Sequence, residues 1–409
     1  MKTILSFIGI TALFINYTYG QLTLEAELRP RYGYLHGYKT VYSSGDLSSG
    51  ITQRSRLNMG FKKDKLLLKL VVQDIRTWGD VRTLNLSDDH FSIHEAWGEV
   101  LFSDKISLKL GRQELNYDDQ RIFGSVNWAQ QGRSHDVALF KINPVKNTKF
   151  HFGFAINEDK VNVAPYKYMQ YLWFHSVYEK FNFSILFLNN GVESAATGNT
   201  HYGQTLGTHF NTNLSDKTKL SGSFYYQFGK DVANRDISAM EYKIDAKFLA
   251  SQNWTALIGY EHLSGTGAND TKNKSFNPLY GTNHKFNGWM DYFYVGNHIN
   301  NVGLNDFNAG LIYKENKFSA GLFGHYFTPD AKDMLDASGN PIKLGDLGIE
   351  LDFFFNYKFS KDISFRFDQG FMFSNDLDIL KGKSNLPSKN NLVTWITVHF
   401  KPTLFKSGS

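Results

Sequence analysis

The stretch QLTLEAELRPR, residues 21–31, places leucine or alanine at every second position and polar or charged residues between them. Successive side chains of a β-strand point to opposite faces. One face of this segment is therefore apolar, and the other carries Thr23, Glu25, Glu27, Arg29 and Arg31. A strand that separates lipid from a water-filled lumen needs this alternation, whereas a soluble core would not accept the ionic face. The segment predicts a strand of a membrane β-barrel.

The same alternation recurs along the chain in stretches of roughly 9 to 14 residues separated by links that are long and short in turn, as in a barrel. We predict an all-β fold, a single transmembrane antiparallel β-barrel of about 18 strands with short periplasmic turns and long extracellular loops. The predicted strands are 21–31, 51–62, 64–76, 91–103, 105–114, 131–142, 149–157, 168–178, 180–190, 201–213, 217–229, 236–249, 253–264, 303–314, 317–328, 346–358, 361–374 and 391–401.

Composition agrees with one barrel domain over residues 21–409, since no linker or low-complexity tract divides the chain. Aromatic residues make up 16% of the 409 residues, as expected if rings line both water–lipid boundaries. The net charge of +5 predicts no general affinity for nucleic acid. The absence of cysteine excludes disulfides, thiolate catalysis and cysteine metal sites.

Residues 1–20 have the pattern of a signal peptide that is cleaved on export. Lys2 gives a basic start, residues 4–15 are apolar, and Thr18 and Gly20 are small residues at the positions that a signal peptidase reads. No later apolar run is long enough for a spanning helix, so the predicted location is the bacterial outer membrane. Phe400 or Phe405 would supply the terminal aromatic signal for the barrel-assembly machinery.

Arginine is concentrated in the first third of the chain, where nine of its eleven residues fall between Arg29 and Arg133. Since Arg at the bilayer midplane costs about 2–4 kcal/mol, arginines that alternate with aliphatic residues should face the lumen. Arg112 shares the parity of the neighbouring leucines, so either a bulge at Gly111 turns it inward or the strand has left the membrane there. These arginines could pair with carboxylates as a structural wall, or favour anions as a set. The predicted pore-lining residues are Arg29, Arg31, Arg54, Arg56, Asp74, Arg76, Glu95, Arg112, Arg121, Trp128, Arg133 and Asp136.

Residues 111–136 combine charge, amides and aromatic rings in one long loop. This loop is either solvated surface or a constriction folded into the lumen, where Tyr117 and Trp128 would stack on sugars and Arg121, Arg133 and Asp136 would set the charge. The second long link, 265–302, is predicted to be a lid or a plug.

The motifs GRQELNYDDQRIFG (111–124), QRSRLNMGF (53–61) and QDIRTWG (73–79) resemble those of the alginate-export family of outer-membrane barrels. The stretches FNPLYG (276–281), HKFNGWMD (284–291) and LGIELD (347–352) fit as well, so the resemblance spans nearly all of residues 21–409. It implies an eighteen-stranded barrel with a basic lumen that passes an anionic uronate polymer.

We therefore predict an outer-membrane channel that passes an anionic or polar oligo- or polysaccharide, surrounded by outer-membrane lipid. The alternatives are a general diffusion porin for small solutes, a non-conducting barrel enzyme, or a scaffold. The chain contains no nucleophile-elbow, zinc-protease, phosphate-loop or dinucleotide motif, so no enzymatic activity, cofactor or metal is predicted. The loop residues Asp330, Asp333, Asp336 and Asn340 are rich enough in oxygen for Ca²⁺, but their spacing matches no known loop.

Overall fold

A computed structural model describes residues 20–41, 47–84, 90–158, 166–336, 338–381 and 390–407. Residues 1–19 of the predicted signal peptide lie outside this range. Within the described residues, no helix is long and apolar enough to cross a membrane.

Within the described residues, eighteen antiparallel strands form one closed ring, each paired with the ring strands before and after it in the chain. The ring closes where the first strand pairs with the last, with Tyr32 opposite Ile396 and Leu35 opposite Val393. The ring strands are Gln21–His36 (β1), Ser48–Lys63 (β2), Leu66–Thr77 (β3), Phe91–Leu101 (β4), Ile106–Gln113 (β5), His135–Val145 (β6), Thr148–Ile156 (β7), Tyr168–Tyr178 (β8), Phe181–Glu193 (β9), Thr200–Asn213 (β10), Thr218–Lys230 (β11), Asp236–Leu249 (β12), Trp254–Leu263 (β13), Leu304–Glu315 (β14), Phe318–Thr328 (β15), Gly348–Lys358 (β18), Ile363–Ser374 (β19) and Asn390–Phe400 (β20).

The remaining elements are small. The strands Asp333–Leu335 (β16) and Pro341–Lys343 (β17) form a hairpin inside the link after β15. Thr403–Lys406 (β21) continues the last strand and pairs with the start of β1. A 3₁₀ turn spans Asn283–Lys285, and a single helical turn (α1) spans Leu377–Leu380.

All eighteen predicted strands are present, and short turns alternate with long loops as predicted. The largest difference is at β1, which continues to His36. Pro30 interrupts its apolar face and Gly33 its polar face, but the backbone still completes ladders with β2 and β20. Predicted strand 131–142 begins instead at His135, because the preceding residues belong to a loop.

The two faces of the ring differ as the alternation predicts. Leu57, Leu68, Ile258 and Leu322 are exposed on the outside, whereas Glu27, Arg29, Arg31, Arg54 and Arg56 are buried inside. These four arginines therefore lie on the inward face of the ring.

We expect Leu322→Arg to impair insertion of the barrel. Leu322 lies at the middle of β15, is 53% exposed on the outward face, and pairs with Leu311 and Phe353. A charge at this depth costs about 2–4 kcal/mol in lipid. The measurement is the fraction of protein with heat-modifiable migration after refolding into vesicles. Asn308→Arg introduces the same side chain on the inward face and should insert normally; equal insertion of the two variants would contradict the orientation.

Candidate channel constriction

Two long loops fold into the barrel and meet there. We call residues 114–134 loop A and residues 264–303 loop B. Tyr280 of loop B pairs with loop A through the bonds Gly124 N–Tyr280 O (2.9 Å) and Tyr280 N–Ile122 O (3.0 Å). Phe123 and Phe276 are almost fully buried beside this contact. The two loops therefore form one packed body across the lumen, and both predictions of an inward-folded loop agree with this geometry.

Arginines on β1 and β2 hold loop A against the wall. Each of Arg29, Arg31, Arg54 and Arg56 donates to backbone carbonyls of residues 127–131, and charged donors make stronger bonds than neutral ones. Arg29 makes the most contacts, because its Nε also donates to the side chain of Gln130 at 3.0 Å. The bonds to carbonyls are Arg29–Asn127 (2.8 Å), Arg29–Trp128 (3.3 Å), Arg29–Ala129 (3.0 Å), Arg31–Trp128 (2.7 Å), Arg54–Ala129 (3.5 Å), Arg54–Gln130 (3.3 Å) and Arg56–Gln131 (3.0 Å).

Only part of this wall is neutralised by carboxylates. Arg54 forms an ion pair with Glu27, which also contacts His399 at 3.0 Å. Glu95 pairs with Lys69, and Glu99 pairs with Lys141. The arginines of β1 and β2 thus bond mainly to the backbone of loop A, and Arg54 also pairs with a carboxylate.

Carboxylates on β18, which is three strands from β1 around the ring, hold loop B in the complementary way. The backbone N–H of Met290 donates to Glu350 Oε1 at 2.7 Å, and that of Trp289 donates to Asp352 Oδ2 at 3.1 Å. Gly288 has φ +81°, and a Cβ there would lie 2.4 Å from the Glu350 carboxylate. Glycine is therefore required for this close approach. One wall accepts from the N–H groups of loop B while the other donates to the carbonyls of loop A.

Arg121 joins the two loops to the acidic wall. Its side chain is fully buried, 2.5 Å from Glu261 Oε1 on β13. It also donates to Asn287 Oδ1 at 2.9 Å and lies over the ring of Phe286 at 4.2 Å. Asn287 in turn donates to Glu261 Oε2 at 2.7 Å and to Asp306 Oδ2 at 3.1 Å.

Trp128 and His284 stack where the loops meet. Their ring centroids are 3.9 Å apart and their planes differ by 9°. The guanidinium of Arg31 lies 4.0 Å from the Trp128 ring centroid. Two groups this close to one ring must occupy its opposite faces, so Trp128 is enclosed between Arg31 and His284. The indole edge packs against Trp395 at 5.1 Å.

Asp291 holds His284 in place, and Tyr38 in turn holds Asp291. The Nδ1 of His284 lies 2.7 Å from Asp291 Oδ1, and the Tyr38 hydroxyl donates to Asp291 Oδ2 at 2.5 Å. Burial, together with the charge of Asp291, raises the pKa of Tyr38 well above its usual range. The phenol therefore stays protonated and remains a donor to Asp291.

Two cavities meet at this stack. The first, of about 810 Å³, lies toward the long loops and includes Arg31, Lys39, Arg133 and Asp291 in its lining. The second, of about 380 Å³, lies toward the short turns and includes Lys243, Asp245, Lys285, Arg366 and Asp368. Both are lined by Trp128 and His284. We call them the outer and the inner cavity; the stack is the boundary between them.

The inner cavity balances its charges, whereas the outer one does not. Lys243 lies 2.7 Å from Asp245 and 3.5 Å from Asp119. Burial would raise the pKa of Asp119, but Lys243 and neighbouring cations bring it below its usual range, so the carboxylate stays charged. The outer cavity has Arg31, Lys39 and Arg133 against the carboxylate of Asp291.

Eight of the predicted pore-lining residues lie inside the barrel, and four do not. Asp74 and Arg76 lie on β3 with the outward parity of Leu68, Leu70 and Val72, and they form an ion pair with each other. The prediction that they line the pore is wrong, because no irregularity of β3 changes their parity. The residues inside are Arg29, Arg31, Arg54, Arg56, Glu95, Arg121, Trp128 and Arg133.

Arg112 and Asp136 also point outward, so the prediction that they line the pore is wrong as well. Arg112 keeps the outward parity of Leu108 and Leu110, and it is paired in register with Asp136 of β6. Their side chains are 42% and 61% exposed and form a 3.0 Å ion pair. Gly111 has φ +118° but does not turn Arg112 inward. The strand instead extends beyond its apolar band, which is the second of the two alternatives.

Sequence reasoning did not assign a role to Tyr38, Lys39, His284 or Asp291. His284 and Asp291 lie in the motif HKFNGWMD, so the signal was present, but no periodicity indicates which residues of a loop turn toward the lumen. The aspartates of the link after β15 accept backbone N–H groups at three separate places, Asp330 from Gly265, Asp333 from Ala268 and Asp336 from Ser338. Among the described residues, no group of three or more potential ligands could hold a metal ion.

Comparison with known proteins identifies the fold. No family model matches the chain, and no curated protein does. Acinetobacter baumannii OccAB4 has 13% identity and a TM-score of 0.64, with 95% of this chain and 100% of that chain covered. Pseudomonas aeruginosa OccK11 (OpdR) has 10% identity and a TM-score of 0.62 over 94% and 96%. P. aeruginosa OpdK, in a structure with vanillate, has 9% identity and a TM-score of 0.64 over 93% and 98%. At these identities the likeness shows a shared barrel fold.

Proposed function

We propose that this protein is an outer-membrane channel that admits small anionic solutes, acidic sugars among them. The observation that carries the proposal is the outer cavity, in which three cations face one carboxylate in front of a constriction. Low-dielectric walls of one sign concentrate ions of the opposite sign. Rings of Arg or Lys favour anions in pores.

The size of the solute follows from the two loops. A polymer needs a continuous opening, and loops A and B would both have to leave their walls to provide one. A monomer or a short oligomer needs only the Trp128–His284 stack to part. The resemblance to alginate-export proteins favours a uronate, and vanillate in the OpdK structure is also a ring-bearing carboxylate. We therefore favour uronate monomers and short oligomers over the polymer.

The location follows from the fold and the predicted signal peptide. An exported β-barrel with an apolar outer face belongs in the outer membrane, with its short turns in the periplasm and loops A and B entering from the outside. Barrel-assembly machinery would insert it. The proposal assigns no catalytic residue.

The first test is single-channel recording in a planar bilayer under a salt gradient. We expect anion-selective current that uronates reduce more strongly than neutral oligosaccharides do. Weak selectivity with no preferred blocker would indicate a general diffusion porin instead, and the absence of current would indicate a scaffold.

We expect the double variant Lys39→Gln, Arg133→Gln to lose much of the anion preference, because both cations line the outer cavity. The ratio of anion to cation permeability should fall about threefold or more, which corresponds to about 0.7 kcal/mol. The measurement is the reversal potential under a salt gradient. The double variant Arg76→Gln, Arg112→Gln removes the same charge from the outward face and should keep the wild-type ratio. Equal losses in both variants would show that total charge, and not the cavity, sets selectivity.

A further inference from the structure

The face of Trp128 that His284 covers lies on the path between the two cavities. Trp128 and His284 are the two residues that the linings of both cavities share, so the direct route from one cavity to the other runs past this pair. We propose that this face of Trp128 is a recognition surface for ring-bearing carboxylates, which cross by taking the place of the His284 imidazole. The inference rests on the proposed channel function and names the solute class that the constriction selects.

Trp128 is fixed on several sides. Its backbone carbonyl accepts from Arg31 at 2.7 Å and from Arg29 at 3.3 Å. Its ring is covered by the Arg31 guanidinium and bounded by Trp395. Loop A therefore presents the indole as a fixed plate, of which one face is covered by Arg31.

His284 is the part that can move. It lies on a single 3₁₀ turn, Asn283–Lys285, and its side chain makes the hydrogen bond to Asp291. When the imidazole leaves, Asp291 keeps the bond from Tyr38, so no bare carboxylate remains. Displacing His284 therefore costs less than displacing Trp128, which would break the contacts of the basic wall.

A ring restores the contact that the imidazole gives up. Aromatic rings, and the apolar faces of pyranoses, lie flat on an indole, whereas a flexible acyclic acid has no such face. Cations stand on both sides of the stack: Lys39 and Arg133 in the outer cavity, and Lys285 in the inner one. A carboxylate on the ring thus meets a positive charge before and after the crossing. The geometry fits a solute that is both flat and anionic.

The test compares two sugar acids of equal charge, glucuronate, which forms a pyranose ring, and gluconate, which is acyclic. Their permeability ratio is obtained from reversal potentials in gradients of the sodium salts. We expect wild-type protein to favour glucuronate by about threefold or more. Trp128→Phe keeps an aromatic plate and should retain most of this preference. Trp128→Leu keeps apolar bulk without the ring and should bring the ratio close to one.

The same reversal-potential measurements provide the control. Trp97→Leu removes a tryptophan that contacts Lys109 inside the barrel but lines neither cavity, so it should keep the wild-type ratio. A preference for glucuronate that survives in Trp128→Leu, while heat-modifiable migration is normal, would overturn the inference. Anion-selective wild-type current with a ratio of one would overturn the inference and leave the channel function standing. Wild-type protein without anion current would overturn both.

Discussion

Replacing Arg29 with Met is expected to raise single-channel conductance several-fold and to make the current noisy. Arg29 donates to three carbonyls of loop A and to the side chain of Gln130. Each such bond contributes about 0.5–1.5 kcal/mol net, and bonds from charged groups contribute more. Losing them together shifts the docked–undocked equilibrium of loop A by about 2–4 kcal/mol, enough for the undocked state to contribute to the current. Met keeps most of the side-chain length, so the wall is not left hollow.

The barrel itself should tolerate this substitution. Arg29 donates its hydrogen bonds to loop A and not to a carboxylate, so its removal does not leave a buried acid without its partner. Lys141→Met is the matched control, because it removes an inward cation that pairs with Glu99 on the wall and does not contact loop A. Normal conductance in Arg29→Met, or equal gains in both variants, would mean that loop A is held mainly by its contacts with loop B.

The strands could be predicted from sequence because their physical cause is local. The alternation is imposed on each strand by lipid on one side and water on the other, so it can be read without knowing the neighbours. The cost of placing Arg in lipid then fixed the inward orientation of Arg29, Arg31, Arg54 and Arg56. Even at β1, where Pro30 and Gly33 obscure the pattern, only the end of the strand was misplaced.

The prediction of side-chain orientation from sequence failed where the apolar band of a strand ends. Asp74, Arg76, Arg112 and Asp136 lie beyond the last outward apolar residue of their strands, which is Val72, Leu110 or Ala138, so lipid no longer excludes a charge there. Their outward parity is nevertheless continuous with Leu70, Val72 and Leu110, and parity alone would have placed them correctly. Near a strand end, the cost of placing a charge in lipid no longer decides which way a side chain points, but the alternation of side chains along the strand still does.

The constriction could be predicted only in outline. The composition of residues 111–136 favoured a loop folded into the lumen, and Arg121, Trp128 and Arg133 were predicted to lie in its constriction. The partners of these residues come from loop B, which lies far along the chain. His284 became part of the boundary through a contact spanning 156 positions, Trp128 to His284, and no local pattern encodes such a pairing.

Basic and acidic side chains of the barrel wall hold different parts of the constriction. Basic side chains of β1 and β2 donate to carbonyls, and acidic side chains of β13, β14 and β18 accept from N–H groups and from Asn287. The charges that hold the loops are thereby buried beneath them. The charges that a solute meets overlap with this set in part, because Arg133 donates to Gly281 O at 2.9 Å and Lys285 donates to Asp119 O at 2.7 Å, which joins loops A and B. Lys39 contacts loop B through its backbone, so substituting its side chain alters the charge of the outer cavity without breaking these bonds.

Arg121→Met is expected to be the most destabilising single change in the constriction. The buried guanidinium is the charged partner of Glu261, and its loss leaves that carboxylate in a site closed to water. Removing one partner of a buried ion pair costs about 3–5 kcal/mol. The bond to Asn287 is lost at the same time, so loop A and loop B should both detach from the acidic wall. The measurement is amide hydrogen exchange of loops A and B in detergent micelles, with exchange of the barrel strands as the internal reference.

The double variant Arg121→Met, Glu261→Gln separates the ion pair from the packing. If the unpaired carboxylate is the cause, neutralising it should recover most of the lost protection, since removing both members of a buried pair is often nearly neutral. Gln can still accept from Asn287, which now bonds to Glu261 Oε2 at 2.7 Å. No recovery in the double variant would mean that the stacking of Arg121 on Phe286, and not its charge, joins the two loops. Recovery of protection with wild-type conductance would show that the buried charge of Arg121 positions the loops and takes no part in conduction.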